Sequence, residues 1–404
     1  MTRRGTPGVH RTLLACTLGM VVGGCTVLDG VRSHPSGSLG GTILWHSGAS
    51  AFAPGPAFDG TTVYYRSAVD TLTAVDAATG TVRWAVSIGH EASPQATILG
   101  CIVAGDVVVC DDLDLVAFRR TDGGLAWHFH TPDDDQGFLS MTAFGSTVYA
   151  GSIDVGTVYA IDANSGTELW EHVLFPGDST QVTAWDPVTD GNIVVAAFTY
   201  YDWTNHPRAG AAELDASTGA LRWLIYYPPP AQNAANLTRS TALWQNVVLG
   251  TASLGTIYAL DRATGTVLWT LPGVGNLPPD MGGGPVVGDM RSLVVANSTL
   301  FATSNSGWFV AYDLNAEKEA WRVEGRYPGP GGPGGSAQPA VRIPTDGSSV
   351  YVVYLSGQIN AFSATGPDLE WDVGDWHVPF MICPAVGSDR IFAVRSDGLY
   401  ALHK

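Results

Sequence analysis

An eleven-residue motif that ends in tryptophan recurs along this 404-residue chain. A motif that returns about every 40 to 50 residues indicates an array of similar supersecondary units, so the repeat decides the architecture more than the length does. The clearest copies are Ala74–Trp84, Ala160–Trp170, Glu213–Trp223 and Ala259–Trp269, and the weaker ones are Ala117–Trp127, Ala311–Trp321 and Ala361–Trp371.

Each unit is typical of several short antiparallel strands. Runs rich in β-branched and aromatic residues, such as those from Thr61 and Ser146, precede most copies and predict additional strands. Within the motif, Asp can cap a tight turn through its side chain, and Gly supplies the positive φ that the turn requires. We therefore assign the recurring acids to turns rather than to catalysis. They are Asp76, Asp162, Asp215, Asp261 and Asp313.

The two ends of the chain carry complementary halves of the motif. Leu399–His403 matches its first half and Gly41–Trp45 its second half, so together they make an eighth unit. A strand at about residues 41–47 would join the C-terminal sheet and remove its open edge. The sequence predicts an all-β, eight-bladed β-propeller of four-stranded antiparallel blades, one domain over residues 39–404. Its repeat anchors, 39 to 53 residues apart, are Trp45, Trp84, Trp127, Trp170, Trp223, Trp269, Trp321 and Trp371.

The N-terminal segment is typical of an export signal. Basic residues precede an apolar run over 13–22, which is followed by Gly23, Gly24 and Cys25. This end resembles the bacterial lipobox, and we expect a lipoprotein signal peptide over 1–24, a lipid anchor on Cys25 and a tether over 25–38. Cys16 fits the pattern less well, and a plain cleaved signal is the alternative. The expected location is extracytoplasmic, anchored by lipid to the bacterial membrane or envelope.

Composition excludes several classes of protein. Hydrophobic residues make up 45% and charged residues 14% of the chain, which disfavours disorder. Its 20 basic and 37 acidic residues give a net charge of −17, which disfavours binding to nucleic acid.

The repeated A-x-D-x-x-T-G-x-x-x-W resembles the tryptophan-docking repeat of the pyrroloquinoline quinone (PQQ) β-propeller family, over nearly all of residues 39–404. The resemblance implies the propeller fold but leaves the function open, because this family holds calcium- and PQQ-dependent dehydrogenases as well as propellers without a cofactor. In length, signal type and blade number the chain is similar to the non-catalytic lipoprotein of outer-membrane β-barrel assembly.

The resemblance argues against catalysis at the level of residues. The family's dehydrogenases carry an adjacent cysteine pair beside the cofactor, and the sequence has no Cys-Cys. Their calcium ligands and catalytic Asp match no position here. We therefore expect no enzyme activity, no cofactor and no metal, with a PQQ- and calcium-dependent alcohol or sugar dehydrogenase as the alternative.

Three other groups of residues stand out. Cys101 and Cys110 flank a predicted hairpin with Gly105-Asp106 at its turn, which favours a disulfide over two buried thiols. Cys383 is expected to be a core residue.

Asp133–Asp135 suits calcium, although a solvated acidic loop is favoured. His128 and His130 alternate on one strand, and two histidines without a third ligand are weak evidence for metal.

Long irregular segments interrupt the repeat at 200–208, 226–240, 271–285 and 327–339. The predicted strand order places all four on one face, where exposed aromatic residues beside Pro-rich loops favour a binding surface over loops that only pack on each other. We expect a scaffolding module for an unknown envelope protein, with a glycan or small-ligand sensor as another class. The candidate binding face comprises Tyr200, Tyr201, Trp203, Tyr226, Tyr227 and Trp376.

Overall fold

The structure is a computed structural model, and its regular secondary structure is β-strand throughout the part of the chain that it describes. The described residues contain no helix long and apolar enough to cross a membrane. They are 39–48, 55–68, 70–88, 100–112, 114–130, 137–153, 155–177, 181–201, 207–228, 240–252, 255–273, 290–304, 308–324, 343–353, 358–374 and 380–404.

The strands form eight antiparallel sheets, which are the blades of the propeller. In chain order they are β1 (Ile43–Ser47); β2 (Ala57–Phe58), β3 (Thr62–Ala68), β4 (Thr71–Asp76) and β5 (Val82–Ser87) in blade 1; β6 (Ile102–Ala104), β7 (Val107–Asp112), β8 (Asp114–Arg119) and β9 (Leu125–Phe129) in blade 2; β10 (Phe138–Phe144), β11 (Thr147–Ser152), β12 (Thr157–Asp162) and β13 (Glu168–Val173) in blade 3; β14 (Val182–Thr189), β15 (Ile193–Tyr201), β16 (Pro207–Asp215) and β17 (Leu221–Tyr226) in blade 4; β18 (Thr241–Trp244), β19 (Val247–Thr251), β20 (Ile257–Asp261) and β21 (Val267–Leu271) in blade 5; β22 (Met290–Ala296), β23 (Thr299–Ser304), β24 (Trp308–Asp313) and β25 (Lys318–Glu324) in blade 6; β26 (Ser349–Val353), β27 (Ile359–Ser363) and β28 (Leu369–Val373) in blade 7; and β29 (Phe380–Val386), β30 (Arg390–Arg395) and β31 (Gly398–His403) in blade 8.

The predicted eight-bladed fold is confirmed, with one local variation. Among the described residues, seven sheets have four strands and blade 7 has three, and at the inner edge of blade 7 Thr345 forms an isolated bridge with Val350. The first strands of neighbouring blades contact each other, for example β2 with β6 and β10 with β14. These strands therefore line the central axis, and each blade extends outward from it.

The ring closes as the sequence predicts. Strand β1 pairs antiparallel with β31, so the N-terminal strand is the outermost strand of blade 8. Backbone hydrogen bonds of 2.8 Å from Gly41 N to His403 O and from His403 N to Thr42 O extend the pairing beyond the strand. The N-terminal strand thus covers the edge of β31, which would otherwise be the open edge of blade 8.

The hydrophobic core consists of eight separate clusters, each shared by two neighbouring blades. One of them joins Val63 and Val75 of blade 1 to Phe392 and Leu399 of blade 8, which completes the circle. The remaining seven join the other neighbouring pairs of blades in turn. Stability therefore comes from contacts between neighbouring blades, as expected for a repeat protein.

Five of the eight repeated Trp residues dock on the turn of the following blade. Trp127 of blade 2 donates its Nε1–H to the carbonyl of Ala163 at 2.7 Å, and its ring lies over Gly166. Trp45, Trp84, Trp170 and Trp223 make the equivalent hydrogen bond at 2.9–3.0 Å. The turn glycine thus has two roles, because it adopts a positive φ (71° at Gly166) and leaves room for the ring.

The recurring acids cap these turns. Oδ1 of Asp162 accepts hydrogen bonds from the backbone N–H groups of Asn164 and Ser165, and from the Ser165 hydroxyl. Asp76, Asp215, Asp261 and Asp313 accept the corresponding backbone hydrogen bonds. Because these carboxylates are occupied in holding the turn, they have a local structural role.

A second acid, in the turn between the first and second strands, links neighbouring blades by an ion pair. Oδ2 of Asp59 in blade 1 lies 2.6 Å from Nη2 of Arg120 in blade 2, and Asp190 pairs in the same way with Arg262 of blade 5. The carbonyl of Arg120 also accepts the Nε1–H of Trp84. One residue therefore fastens the blade interface through both its backbone and its side chain.

Asp59 should make stability depend on pH. Burial tends to raise its pKa, but hydrogen bonds from Thr61 N, Arg120 and Thr62 N outweigh burial and hold the pKa at about 2. An acid with a depressed pKa stabilises the fold above the unfolded pKa of about 3.9, and this stabilisation is lost as the pH falls towards 2. We expect Asp59→Asn to cost about 1.5–3 kcal/mol at pH 7 in urea unfolding, and little at pH 2.

The exposed pair of Arg119 and Asp122 supplies the control for this prediction. Asp122→Asn should change the free energy of unfolding much less than Asp59→Asn does at pH 7, because exposed ion pairs contribute little. Equal effects of the two substitutions at pH 7 would contradict the role assigned to Asp59.

The two faces of the ring differ in their connections. On one face, which we call the turn face, the first strand of each blade turns into the second and the third into the fourth, through connections of at most five residues. On the opposite face, the loop face, the second strand joins the third and each blade joins the next. The strand ends that flank the four predicted long segments all lie on the loop face.

Candidate functional site

Blade 4 has the longest strands of the ring, with eight residues in β14 and nine in each of β15 and β16. The pairing of β15 with β16 continues to Tyr201 opposite Pro207, at the loop-face end of the sheet. The extra residue pairs carry this sheet farther onto the loop face than the five- to seven-residue strands of most other blades.

Four aromatic rings form a cluster at this end of blade 4, which we call the aromatic cluster: Phe175, Phe198, Tyr200 and Tyr226. The ring of Phe175 lies 5.1 Å from Phe198 and 4.9 Å from Tyr200, while Tyr226 lies 5.5 Å from Phe198 and 6.2 Å from Tyr200. Edge-to-face geometry at these distances stabilises aromatic pairs beyond their buried area. The cluster is thus a fixed structure and not a set of separate exposed rings.

The aromatic cluster is partly open to solvent and carries a cation. Tyr226 is 41% exposed, whereas Phe198 is buried. The guanidinium carbon of Arg208 lies 5.7 Å from the centre of the Tyr226 ring, within the range of a cation–π contact. Sequence reasoning selected Tyr200 and Tyr226 but missed Phe175 and Arg208, because the motif places neither of them beside the two tyrosines.

The placement of Tyr227 on the binding face is wrong. Its side chain is 2% exposed and stacks on Tyr258 at 4.8 Å, between blades 4 and 5. Its backbone N–H donates to the carbonyl of Ala209, which extends the sheet by one residue and turns the ring to the side opposite Tyr226. Burial raises the pKa of the Tyr227 hydroxyl. The missing side chain of Gly250 makes room for that hydroxyl.

The remaining predicted site residues fall into two groups. Tyr201 ends β15 and is partly exposed on the loop face. Trp203, Trp376, Cys25 and the acidic run Asp133–Asp135 lie outside the described residues, so their roles stay predictions. Cys383 lies in β29, but its side chain is not among those described.

Blade 2 brings together residues that the sequence presented separately. Gly105 and Asp106 form a hairpin turn with Ile102 opposite Val109, and a disulfide joins Cys101 to Cys110 with a Cα–Cα distance of 4.1 Å. On the outer strands of the same blade, His128 and His130 both contact the carboxylate of Asp114. This third residue was not recognised from the sequence.

A cavity of ≈ 180 Å³ lies beside the central axis, between the first strands of blades 3 to 6. Asp186 contributes to its wall at a bulge in β14, with a φ of 29° that residues other than glycine seldom adopt. The other lining residues are Thr142, Pro187, Val188, Ser240, Thr241, Ser292, Leu293 and Ile343.

This axial cavity does not fit PQQ. A site for a ligand as large as PQQ usually has a volume of about 300–1,000 Å³. PQQ also carries several carboxylates, which need cationic partners. The axial cavity is smaller than this, and its described lining includes the carboxylate of Asp186 but neither Arg nor Lys. We therefore derive no catalytic step through this cofactor.

Comparison with known families identifies the fold family. The sequence model described as outer membrane protein assembly factor BamB matches residues 37–270 and 253–330, which is more than half of the chain. The chain belongs to this PQQ-repeat β-propeller family. The match covers blades 1 to 6.

Solved structures of propellers resemble the whole ring. BamB from Moraxella catarrhalis has a TM-score of 0.59 at 16% identity, covering 88% of this chain and 96% of its own. Quinohemoprotein alcohol dehydrogenase from Comamonas testosteroni reaches 0.62 at 16% identity, covering 89% and 76%. Sqt1 from Chaetomium thermophilum, bound to the N-terminus of ribosomal protein L10, reaches 0.64 at 14% identity, covering 90% and 100%. At these identities the likeness concerns the fold alone.

Curated relatives share parts of the repeat. The serine/threonine-protein kinase AfsK of Streptomyces griseus is 36% identical over 120 residues, which is 28% of this chain and 14% of the kinase. Polyvinylalcohol dehydrogenase of a Sphingopyxis strain is 27% identical over 162 residues, which is 36% of this chain and 23% of that enzyme. The chain thus spans less than a quarter of either protein.

Proposed function

We propose that this chain is a non-catalytic scaffold of the cell envelope that binds a protein partner on its loop face. The observation that carries the proposal is the difference between the two faces. The turn face consists of short connections held by Asp and Gly, whereas the loop face carries the long connections and the aromatic cluster of blade 4. A rigid ring that concentrates variable segments on one face is a common arrangement for recognition.

The aromatic cluster has the features of an interface centre. Tyr and Arg are enriched at the positions that dominate binding energy in protein interfaces, and Tyr226 carries Arg208 on its ring. Because Phe175 and Phe198 already hold the tyrosine, binding would cost little side-chain entropy. Sqt1, which has a similar ring, is known with a peptide bound, and this supports the proposal that propeller faces of this type bind protein segments.

The proposed lipid anchor on Cys25 agrees with the position of the first described residues. Leu39 is exposed, and the segment before β1 meets His403 where β31 ends, which is on the turn face. A tether over residues 25–38 would therefore approach from the turn face. The loop face would point away from the membrane, where a partner can reach it.

Site-specific photo-crosslinking in the membranes of the source cells tests the proposal. A photoreactive residue at position 226 should give a discrete adduct with one partner, and Arg208→Ala should reduce its yield about tenfold. A photoreactive residue at Leu125, which is exposed on the turn face, is the matched control and should give none. Intact mass of the same material should show a lipid on Cys25. Adducts from position 125 but not from 226 would contradict the assignment of the loop face.

The dehydrogenase alternative predicts a different result. Its support is the likeness to polyvinylalcohol dehydrogenase and to the quinohemoprotein fold. Titration with PQQ and calcium, followed by Trp fluorescence and dye-linked alcohol oxidation, separates the two functions. Saturable quenching with turnover would replace the scaffold proposal by a compact quinoprotein enzyme.

A further inference from the structure

A cluster of three metal-ligating side chains lies at the loop-face end of blade 2, apart from the aromatic cluster of blade 4. Oδ2 of Asp114 is 2.9 Å from Nε2 of His128 and 2.7 Å from Nδ1 of His130. The two imidazole rings are 3.9 Å apart, and one ligand atom from each residue lies within 4.8 Å of the others. Three donors of two chemical types therefore point at one small volume.

The pairing of β8 with β9 explains why these residues meet. Val116 lies opposite His128 and Leu115 opposite Phe129, so Asp114 lies beside His130 where the pairing ends. Alternation along each strand puts Asp114, His128 and His130 on one side of the sheet. On the inner side of β8, Cys110 pairs with Val116 and is joined to Cys101 by the disulfide, which holds this part of the blade.

The geometry points to a single divalent transition-metal ion, and we propose that Asp114, His128 and His130 bind Zn²⁺ or an ion of the same class. Metal–ligand bonds of about 2.0–2.2 Å at tetrahedral or octahedral angles place neighbouring ligand atoms about 3.0–3.5 Å apart. The separations of 2.7 and 2.9 Å between nitrogen and oxygen need to widen by a few tenths of an ångström, and the two nitrogen atoms, which lie within 4.8 Å of each other, need to come to about 3.0–3.5 Å. Two imidazoles and one carboxylate are the ligand set that zinc and ferrous sites use.

The ligand set selects against calcium and magnesium. Those ions take oxygen ligands, whereas two of the three donors here are imidazole nitrogens. Binding requires a lone pair on Nε2 of His128 and on Nδ1 of His130, so in the bound form each ring carries its proton on the other nitrogen. Three protein ligands leave at least one coordination position for water or a partner's ligand atom.

The site is accessible to an ion in solution. The side chains of His130, His128 and Asp114 are 67%, 29% and 15% exposed, so the carboxylate forms the floor and His130 the open side. Substitutions at His130 and His128 remove little packing and should leave the fold intact. The variants can therefore be compared with the native protein by metal binding and by melting temperature together.

Metal titration of the chelator-treated full chain tests the proposal. We expect one Zn²⁺ per chain in calorimetry, and Co²⁺ should give visible absorption bands typical of nitrogen and oxygen ligands. His128→Ala, His130→Ala and Asp114→Asn should each weaken Zn²⁺ binding by about 100-fold or more, since even outer partners of metal ligands contribute 10–100-fold. His46→Ala is the control, because His46 lies in β1, apart from the three-residue cluster, and stacks on the ring of Tyr400. This substitution should leave the affinity for Zn²⁺ unchanged.

Two results would overturn the site. One is Zn²⁺ binding that all three variants retain, which would place the ion elsewhere on the chain. The other is the absence of Co²⁺ bands and of saturable Zn²⁺ binding in the native protein, which would make the trio a hydrogen-bonded surface cluster only. Neither result bears on the crosslinking at position 226, so this inference and the proposed scaffold function fail independently.

Discussion

Gly166→Ala is expected to lower the free energy of unfolding by about 4–7 kcal/mol, although it adds only one methyl group. Gly166 has a φ of 71°, which costs an L-residue about 1–2 kcal/mol. The new Cβ would also lie 2.5 Å from Cγ of Trp127, so the ring must leave its site and lose its hydrogen bond to Ala163. Displacing a buried Trp costs about as much as truncating one, 3–5 kcal/mol. Urea unfolding followed by Trp fluorescence measures the loss.

Two controls separate backbone strain from the loss of docking. Gly145 has a φ of 60° with open space around it, so Gly145→Ala should show only the strain of about 1–2 kcal/mol. In a Trp127→Ala background the ring is already absent, and Gly166→Ala should then cost only the same 1–2 kcal/mol. Similar losses for Gly166→Ala and Gly145→Ala in the native background would show that the ring adapts without cost.

Removal of the closing strand is expected to have the second large effect. A chain that starts at residue 48 lacks β1, the hydrogen bond from Trp45 to Ala77 and the docking of that ring on Gly80. The decrease in the free energy of unfolding should exceed that for one docked Trp, and the melting temperature should fall by about 10 °C. It also exposes the edge of β31, so the shortened chain should self-associate in sedimentation experiments.

A chain that starts at residue 39 is the matched control, since it keeps β1 and should melt like the native protein. A synthetic peptide of residues 39–48 should restore much of the lost stability when added in excess. The peptide contains the strand that pairs with β31 and the Trp45 ring that docks on blade 1. An unchanged melting temperature without β1 would mean that blade 8 is stable with three strands, the number that the described residues form in blade 7.

The fold was predictable because its determinants are local and repeated. The carboxylate of Asp162 caps its turn within three residues, and the hydrogen bond of Trp127 to Ala163 has counterparts at four other blade interfaces, with sequence separations of 32 to 46 residues. Eight similar signals made the number of blades countable. The complementary halves at Trp45 and Leu399 revealed the closure, because a repeat that is split between the termini can be completed only if they meet.

The candidate sites were predictable only in part. The face that bears the long segments followed from the strand order, but the side on which each ring lies did not. Tyr226 and Tyr227 are neighbours in sequence, yet one joins the aromatic cluster and the other packs against Tyr258 inside the ring. The alternation of side chains along a strand implies that the two rings point to opposite sides of the sheet, but it does not imply which side is buried.

The sequence by itself determined the class of fold, the number of blades, the closing strand and the turn residues. Tertiary structure alone decided the non-local groups: Asp114 beside the two histidines, Arg208 on Tyr226, and Asp59 with Arg120 across a blade interface. The physical reason is that a turn or a docked Trp depends on the spacing of residues within a repeat. This spacing recurs along the chain and can be recognised in the sequence. A contact between side chains of different strands depends instead on register and twist, which the packing of the whole ring sets.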